Sequence, residues 1–154
     1  RPVLVEIEAL VAPSSLATPR RNVVGWDSSR LAMLTAVLEA RCGVPLSGRD
    51  IFLNVAGGLK ISETAADLAV AAALISSVTG RPAPKQTVFF GEVALSSELR
   101  QVARSDARLK EAAKLGFDNA VMPRPRKAHA KNSEINLSQP STLADLIDIM
   151  GGII

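Results

Sequence analysis

The spacing at which apolar residues recur changes several times along the chain, between the repeat of a strand and that of a helix. This pattern predicts that strands and helices alternate. In residues 3–11, apolar side chains alternate with Glu6 and Glu8, as in a strand with one buried face. Short apolar runs at 22–25 and 51–55 predict two further strands.

A helix is predicted between the second and third of these strands. Its apolar residues recur at helical spacing, Asp27 or Ser28 caps its start, and it runs through Arg41. Gly43 and Pro45 end it, because glycine suits the position after a helix and proline cannot continue one.

The helix that follows Asp67 is the one around which we expect the rest of the chain to pack. Residues 68–75 read Leu-Ala-Val-Ala-Ala-Ala-Leu-Ile and leave no polar stripe. A helix that is apolar on every face must be covered on several sides. We therefore predict that Leu68, Val70 and Leu74, which lie on different faces, are all buried.

The second half of the chain continues the alternation. A helix capped by Ser105 ends at Gly116, and a last helix capped by Ser141 runs to Met150. Interleaved strands and helices around one core predict an α/β or α+β fold, with residues 1–154 as a single domain. The strands predicted in this half are 88–90, 91–93 with 99–100, 119–122 and 135–137.

The composition is typical of one soluble globular domain, with 154 residues of which 47% are hydrophobic. No membrane-spanning segment is expected, because the apolar runs are short. The single cysteine, Cys42, predicts a buried thiol in a reducing compartment, the cytoplasm. One cysteine and one histidine, His129, cannot form a zinc site. The chain opens on a strand pattern instead of a signal peptide, and the missing initial Met suggests a piece of a longer protein.

A mild positive charge admits nucleic acid as a partner. The chain has 18 Lys and Arg against 15 Asp and Glu, a net charge of +3. Only 3% of its residues are aromatic and none is Tyr, whereas surfaces that stack on bases need exposed aromatic rings. Any nucleic-acid binding is therefore expected to go through phosphates.

The polar groups at the start of the central helix form the first candidate site. Free N–H groups and the positive end of the helix dipole favour an active site or a bound anion there. Ser62, Glu63, Thr64 and Asp67 occupy this segment. Asp67 is unusual because apolar residues surround it in the sequence, and a buried carboxylate needs a partner. We expect either an ion pair with Lys60 or a carboxylate exposed at one edge of the helix.

Ten segments along nearly the whole chain carry a family resemblance. They are Arg-Pro-Val-Leu-Val-Glu-Ile at 1–7, Pro-Arg-Arg at 19–21, Val-Gly-Trp-Asp at 24–27, Arg-Leu-Ala-Met at 30–33, Ala-Val-Leu-Glu at 36–39, Gly-Gly-Leu-Lys-Ile at 57–61, Ala-Asp-Leu-Ala-Val at 66–70, Gly-Glu-Val-Ala-Leu at 91–95, Glu-Leu-Arg at 98–100 and Leu-Lys-Glu-Ala-Ala-Lys-Leu-Gly-Phe at 109–117. In these segments and in their order, the sequence resembles the Lon-protease-like C-terminal domain of the bacterial RadA (Sms) DNA-repair family.

This resemblance implies a ribosomal-S5-domain-2-like fold, as in the Lon proteolytic domain, with mixed sheets and packed helices. It also implies a hexameric ring, a role in DNA repair and recombination, and a DNA-dependent ATPase in the whole protein. The family's upstream zinc finger and RecA-type ATPase, which would bring zinc and ATP, have no counterpart here. Neither a G-x-x-x-x-G-K-[ST] nor a C-x-x-C motif occurs in the sequence.

Both positions of the family's Ser–Lys protease dyad are changed in this chain. Active Lon-type proteases begin the central helix with a motif like D-G-P-S-A-G, whose serine is the nucleophile, and that serine falls at Ala65. The partner lysine falls at Asp106, counting from Gly91. Because the dyad needs a hydroxyl and a neutral lysine to take its proton, the resemblance implies an inactive protease homologue.

Two alternatives remain for the neighbouring hydroxyl groups. Ser62 or Thr64 serves as a displaced nucleophile of a serine-type peptidase, or one of them caps the central helix, which is the usual role of a hydroxyl there. The first alternative would make the domain an enzyme after all.

Lys60 and Arg100 occupy positions that are basic in the resembled family and look like DNA contacts there. Arg20, Arg21 and Arg30 are weaker candidates, and Arg30 lies near a helix start, where a cation is disfavoured unless an acid faces it. The alternative for Lys60 is an ion pair with Asp67 or Glu63, and for Arg100 one with Glu98. The basic loop at 124–131 is either a further contact or an ordinary solvated loop.

The sequence therefore favours a catalytically inactive Lon-like domain that binds DNA, single-stranded DNA in particular, and assembles the parent protein into a ring. A pure oligomerisation scaffold and an active peptidase are the competing classes. No cofactor, metal or membrane is expected for this chain itself.

Overall fold

The computed structural model describes residues 4–56, 63–125 and 135–153. Within these ranges the chain forms a mixed α/β structure of small sheets and four helices. In chain order the elements are β1 (Ile7–Pro13), β2 (Arg21–Val24), α1 (Ser28–Cys42), β3 (Arg49–Val55), α2 (Asp67–Thr79), β4 (Thr87–Phe89), β5 (Glu92–Val93), β6 (Leu99–Arg100), α3 (Ser105–Lys114), β7 (Asn119–Val121), β8 (Asn136–Ser138) and α4 (Leu143–Ile149).

The first sheet has the strand order β1-β3-β2 and is mixed. β3 pairs antiparallel with β1, so that Leu10 lies opposite Phe52, and parallel with β2, so that Val23 lies opposite Leu53. The parallel pair needs a long crossover connection, which α1 supplies. The half-buried strand predicted for residues 3–11 is thus present as β1, but it begins at Ile7 and ends at Pro13, and it lies at the edge of the sheet.

The second sheet is parallel, with the order β4-β7-β8, and β5 and β6 form a separate antiparallel hairpin. The hairpin places Glu92 directly opposite Arg100. A small apolar cluster between this sheet and α3 contains Phe90, Leu109 and Met122.

α2 is the centre of the larger core, as the sequence predicts. Leu68, Val70 and Leu74 are each 0% exposed, and the helix contacts β1, α1, α4, β4 and β5. Because other elements pack against most of its surface, the helix needs few polar residues.

The start of α1 and the C-terminal ends of α1 and α2 also match the sequence pattern. The carboxylate of Asp27 accepts the Ser29 N–H at 2.8 Å and caps α1. Gly43 and Gly80 follow α1 and α2 in the left-handed conformation, with φ of 68° and 71°. That conformation lets the chain turn away from a helix without steric cost.

The caps predicted for the last two helices were wrong. Ser105 is the first residue of α3 and not its cap, since Arg104 precedes it at φ 63° and the Ser105 hydroxyl donates to the Val102 carbonyl at 3.1 Å. α4 is capped by Thr142 instead of Ser141. Thr142 accepts the Asp145 N–H at 3.2 Å, and Asp145 accepts the Thr142 N–H in return, which is a capping box.

None of the helices in the described ranges combines the length and the hydrophobicity needed to cross a lipid bilayer.

Candidate functional site

Asp67, the first residue of α2, is fully buried and paired with Arg30. Its carboxylate accepts the Arg30 Nε–H at 3.0 Å and a second hydrogen bond from the same guanidinium. It also accepts the Val93 N–H at 3.0 Å. The carboxylate thus joins α1, α2 and β5 at one point.

The electrostatics of this pair reflect its burial. Burial raises the pKa of Asp67 above its usual value, while the Arg30 guanidinium and the Val93 N–H act against that rise. The hydrogen bond to Asp67 raises the pKa of Arg30, so the guanidinium stays charged.

The alternative of an exposed Asp67 carboxylate was therefore wrong, whereas the expected pair with Lys60 lies outside the described residues and stays a prediction. Among the described residues, Arg30 takes the role that the sequence suggested for Lys60. The position of Arg30 near a helix start was the signal: a cation there is unfavourable unless an acid faces it, and Asp67 does.

Ala65 lies in a short 3₁₀ helix, Thr64–Ala66, just before α2, and is 6% exposed. Its carbonyl accepts the Gly91 N–H at 2.9 Å, and the Leu68 N–H donates to the Gly91 carbonyl at 3.1 Å. These bonds fix the start of α2 against the chain that leaves β4. Neither Thr64 nor another side chain caps α2, whose preceding residue is Ala66, so capping by Thr64 was wrong; Ser62 lies outside the described residues.

A groove of about 1060 Å³ opens beside Ala65. Alanines and serines of α2 form its floor, and the edge strands β1 and β4 together with α3 form its walls. At its rim, Glu63 pairs with Arg108 at 2.8 Å, and the Arg108 guanidinium lies 5.9 Å from the centroid of the Phe90 ring. Asp106 is the second residue of α3 and is exposed. The charged side chains that line the groove, among described residues, are Glu6, Glu63, Arg104, Arg108 and Glu111.

A second, smaller pocket of about 400 Å³ lies at the β5–β6 hairpin, lined by Glu92, Arg100, Gln101 and Arg124. Arg100 is 66% exposed, and its guanidinium nitrogen lies 4.0 Å from a carboxylate oxygen of Glu92. Glu92 is therefore the acid beside Arg100, and the expected pair with Glu98 was wrong. Sequence reasoning missed Glu92 because the hairpin register, and not proximity in the sequence, brings the two together.

Arg124 reaches this pocket because the loop after β7 lies tightly against Gly91. A Cβ atom added at Gly91 would come within 2.8 Å of the Pro123 Cδ, and Pro123 is buried. The glycine thus permits the close approach that holds Arg124 next to the hairpin. The rest of the basic loop, 126–134, lies outside the described residues.

Arg20 and Arg21 lie at the start of β2 and do not line the hairpin pocket. Arg20 pairs with the buried Asp50 at 3.2 Å, and its backbone N–H, donating to that carboxylate at 2.6 Å, is the main reason that the pKa of Asp50 is lowered. The Arg21 guanidinium donates to the carbonyls of Arg49 and Leu46. Both arginines thus have local structural contacts.

The structure therefore groups some of the predicted cations and separates others. Arg100 and Arg124 share one pocket, and Glu92 acts electrostatically on the nearby Arg30–Asp67 pair. Arg20 and Arg21 belong to a different part of the surface, at the start of β2. The grouping of Arg100 with Arg124 depends on a loop contact that no sequence spacing signals.

The chain matches one family model and several known proteins that share one name. A family model described as "Subunit ChlI of Mg-chelatase" matches residues 26–126. A protein of Brucella abortus named "DNA repair protein RadA" is 56% identical over 147 residues, which is 96% of this chain and 32% of that protein. Proteins of the same name from Pseudomonas aeruginosa and Haemophilus influenzae are 54% and 44% identical, over 80% and 99% of this chain and 27% and 33% of their own lengths.

The chain thus spans about a third of the length of the curated relatives that it matches. The matches cover most of the described structure, including α2, the hairpin and the residue at position 65. The chain belongs to the domain family that the ChlI model describes and to the family of the DNA repair proteins named RadA.

Proposed function

We propose that this chain is a DNA-binding and assembly domain of a DNA repair and recombination protein, and that it holds DNA through backbone phosphates. The observation that carries the proposal is the hairpin pocket, which the exposed Arg100 and Arg124 both line. Arginine is well suited to phosphate because its planar guanidinium can donate two parallel hydrogen bonds. The relatives' name, DNA repair protein, makes DNA the natural source of that phosphate.

The described aromatic side chains favour phosphate binding over base stacking. Trp26 and Phe90 are 7% and 6% exposed, Phe89 and Phe117 pack against the two cores, and Phe52 in β3 is half-buried. Base stacking requires ring faces that are open to the ligand. We therefore propose sequence-independent binding, to single-stranded DNA in particular, with Lys60 as a further contact.

We also propose that the domain is an inactive relative of the Lon proteolytic domain, with its ribosomal-S5-domain-2-like fold. Ala65 stands just before α2 without a hydroxyl. The hydroxyl side chains that line the groove in the described part of the chain, Ser76, Ser77 and Thr87, come from the end of α2 and from β4 and not from the start of α2. The second candidate is a peptidase whose nucleophile is Ser62 or Thr64. A time-dependent adduct of either residue with a serine-directed covalent probe would establish that candidate and remove the first.

For the whole protein, we propose a cytoplasmic DNA-dependent ATPase that forms a hexameric ring. The basis is the resemblance of this chain to a family with an upstream zinc finger and a RecA-type ATPase, which would bind zinc and ATP. Since the chain spans about a third of its relatives, these parts belong to the remaining two thirds.

The DNA proposal is tested by measuring the affinity of the chain for single-stranded DNA at several salt concentrations. Charge neutralisation predicts that log affinity falls linearly with log salt, with a slope of about −0.7 per phosphate contact. Arg100→Ala should weaken binding about equally for every DNA sequence and reduce the slope by about one contact.

Arg41→Ala is the matched control, because it removes the same charge from an exposed position. Arg41 is also remote from the Arg30–Asp67 pair. It lies eleven residues beyond Arg30 on α1, which is roughly 16 Å along the helix axis. If Arg41→Ala weakens binding as much as Arg100→Ala, or if binding is insensitive to salt, the proposed phosphate contact at Arg100 is wrong.

A further inference from the structure

We propose that Arg100, Gln101 and Arg124 form a single site for one phosphate group, and that Glu92 is the internal counter-charge of that site. The proposal rests on the DNA-binding function for the source of the phosphate, but the site itself is defined by the pocket. These four side chains line it together, although they come from β5, from β6 and the residue after it, and from the loop after β7.

The two guanidinium groups make the pocket suitable for an anion. Arg100 and Arg124 are exposed, and a phosphate oxygen can accept hydrogen bonds from both at once. With Glu92 present, the pocket carries two positive charges and one negative charge, which leaves a net charge of +1 for the ligand.

The contact between Glu92 and Arg100 is weak enough to be exchanged for a phosphate. At 4.0 Å, with 66% of the Arg100 side chain exposed, it is longer than a charge-assisted hydrogen bond, which is about 2.7–2.9 Å. The Arg100 guanidinium can therefore turn from Glu92 to a phosphate without breaking a close hydrogen bond.

A shared phosphate has a consequence that two separate contacts do not have. If both arginines hold the same phosphate, removing either one loses that contact, and removing the second loses little more. Arg100→Ala, Arg124→Ala and the double variant should then each reduce the salt slope by about one contact on single-stranded DNA. Two independent contacts would instead reduce the slope of the double variant by about two.

Glu92→Gln tests the counter-charge. Removing a negative charge beside the bound phosphate, and releasing Arg100, should tighten DNA binding by about 2- to 5-fold, the range expected for an exposed charge pair. Arg41→Ala serves as the charge control in the whole series. If the Glu92→Gln variant binds DNA as tightly as the wild type, or more weakly, then the Glu92 carboxylate does not compete with phosphate for Arg100.

A second readout separates the site from the DNA function. In NMR spectra of the wild-type chain, the Nε–H signals of Arg100 and Arg124 should shift together as inorganic phosphate is added, with one common binding curve. The Arg41 signal should not follow that curve.

The outcomes distinguish the two proposals. If the two signals shift together but DNA does not bind, the phosphate site stands and the proposed function falls. If DNA binding is salt-dependent but Arg124→Ala changes neither affinity nor slope, the shared site falls and the proposed function stands. Two different binding curves, or a double variant that loses two contacts, would also overturn the shared site.

Discussion

At the scale of single residues, the Arg30–Asp67 pair joins α1, α2 and β5. Asp67 is fully buried and Arg30 is 26% exposed, so removal of one partner leaves the other charge without compensation in a poorly solvated place. We expect Asp67→Ala to lower the free energy of unfolding by ~3–5 kcal/mol. Urea denaturation of the variant and the wild type measures this difference.

A double variant separates two quantities, the net contribution of the ion pair to stability and the cost of leaving one partner unpaired. Replacing both partners by apolar residues of similar size, Arg30→Met with Asp67→Leu, leaves no buried charge, so most of the lost stability should return. The Val93 N–H, which donates to Asp67 at 3.0 Å, remains unpaired in the double variant and limits the recovery. A double variant as unstable as Asp67→Ala would show that the site needs the carboxylate for that backbone contact more than for Arg30.

This pair also shows where sequence reasoning reached its limit at this scale. The need of Asp67 for a partner could be predicted, because a carboxylate within an apolar helix is costly to bury. The identity of the partner could not, since Arg30 is 37 positions away in sequence and only the packing of α1 on α2 brings the two together.

At the scale of elements, the central position of α2 gives a direct stability test. Leu74 is 0% exposed, so Leu74→Ala should lower the free energy of unfolding by ~2–5 kcal/mol through lost burial and the cavity that remains. Leu95→Ala is the matched control, since Leu95 lies between β5 and β6 and is 71% exposed. The control should change stability by less than about 0.5 kcal/mol. Equal effects of both substitutions on the denaturation midpoint would mean that α2 is not the centre of the core.

Most elements could be predicted because their apolar periodicity and their glycines are local signals. Asp27 and Gly43 fix the ends of α1 through their own backbone and side-chain chemistry. The starts of α3 and α4 were missed by one residue for different reasons. Ser141 and Thr142 are both good caps, so spacing alone did not select between them, and the left-handed conformation of Arg104 has no signal in an arginine.

At the scale of the whole molecule, Gly91 connects the two candidate sites. Its backbone groups bond to Ala65 and Leu68 beside the groove, and its missing side chain gives Pro123 the room that places Arg124 at the hairpin pocket. The start of α2 and the hairpin pocket are thus connected through the backbone contacts of Gly91. Sequence reasoning identified both regions but treated them separately, because their connection is a contact between the β4–β5 junction and a loop 32 positions later.

The proposed function also requires that several copies of the protein assemble into a ring. A ring needs a head-to-tail interface, in which each subunit uses two different patches. A stable interface covers about 800 Å² on each partner, so two of them would cover a modest part of the 8678 Å² of surface that the chain exposes. Exposed apolar side chains such as Leu10 and Val24, which are 55% and 57% exposed, leave apolar area available for such contacts.

We therefore expect the 154-residue chain to self-associate weakly and the longer protein to form a closed ring. Sedimentation velocity over a wide concentration range measures the first property, and the same measurement on a chain extended to the length of its relatives measures the second. Association should increase with concentration in the short chain and reach a fixed size in the long one, because a heterologous interface stops growing only when the ring closes. A strict monomer at every concentration for both chains would exclude ring assembly, and growth without limit in the long chain would indicate an open filament instead.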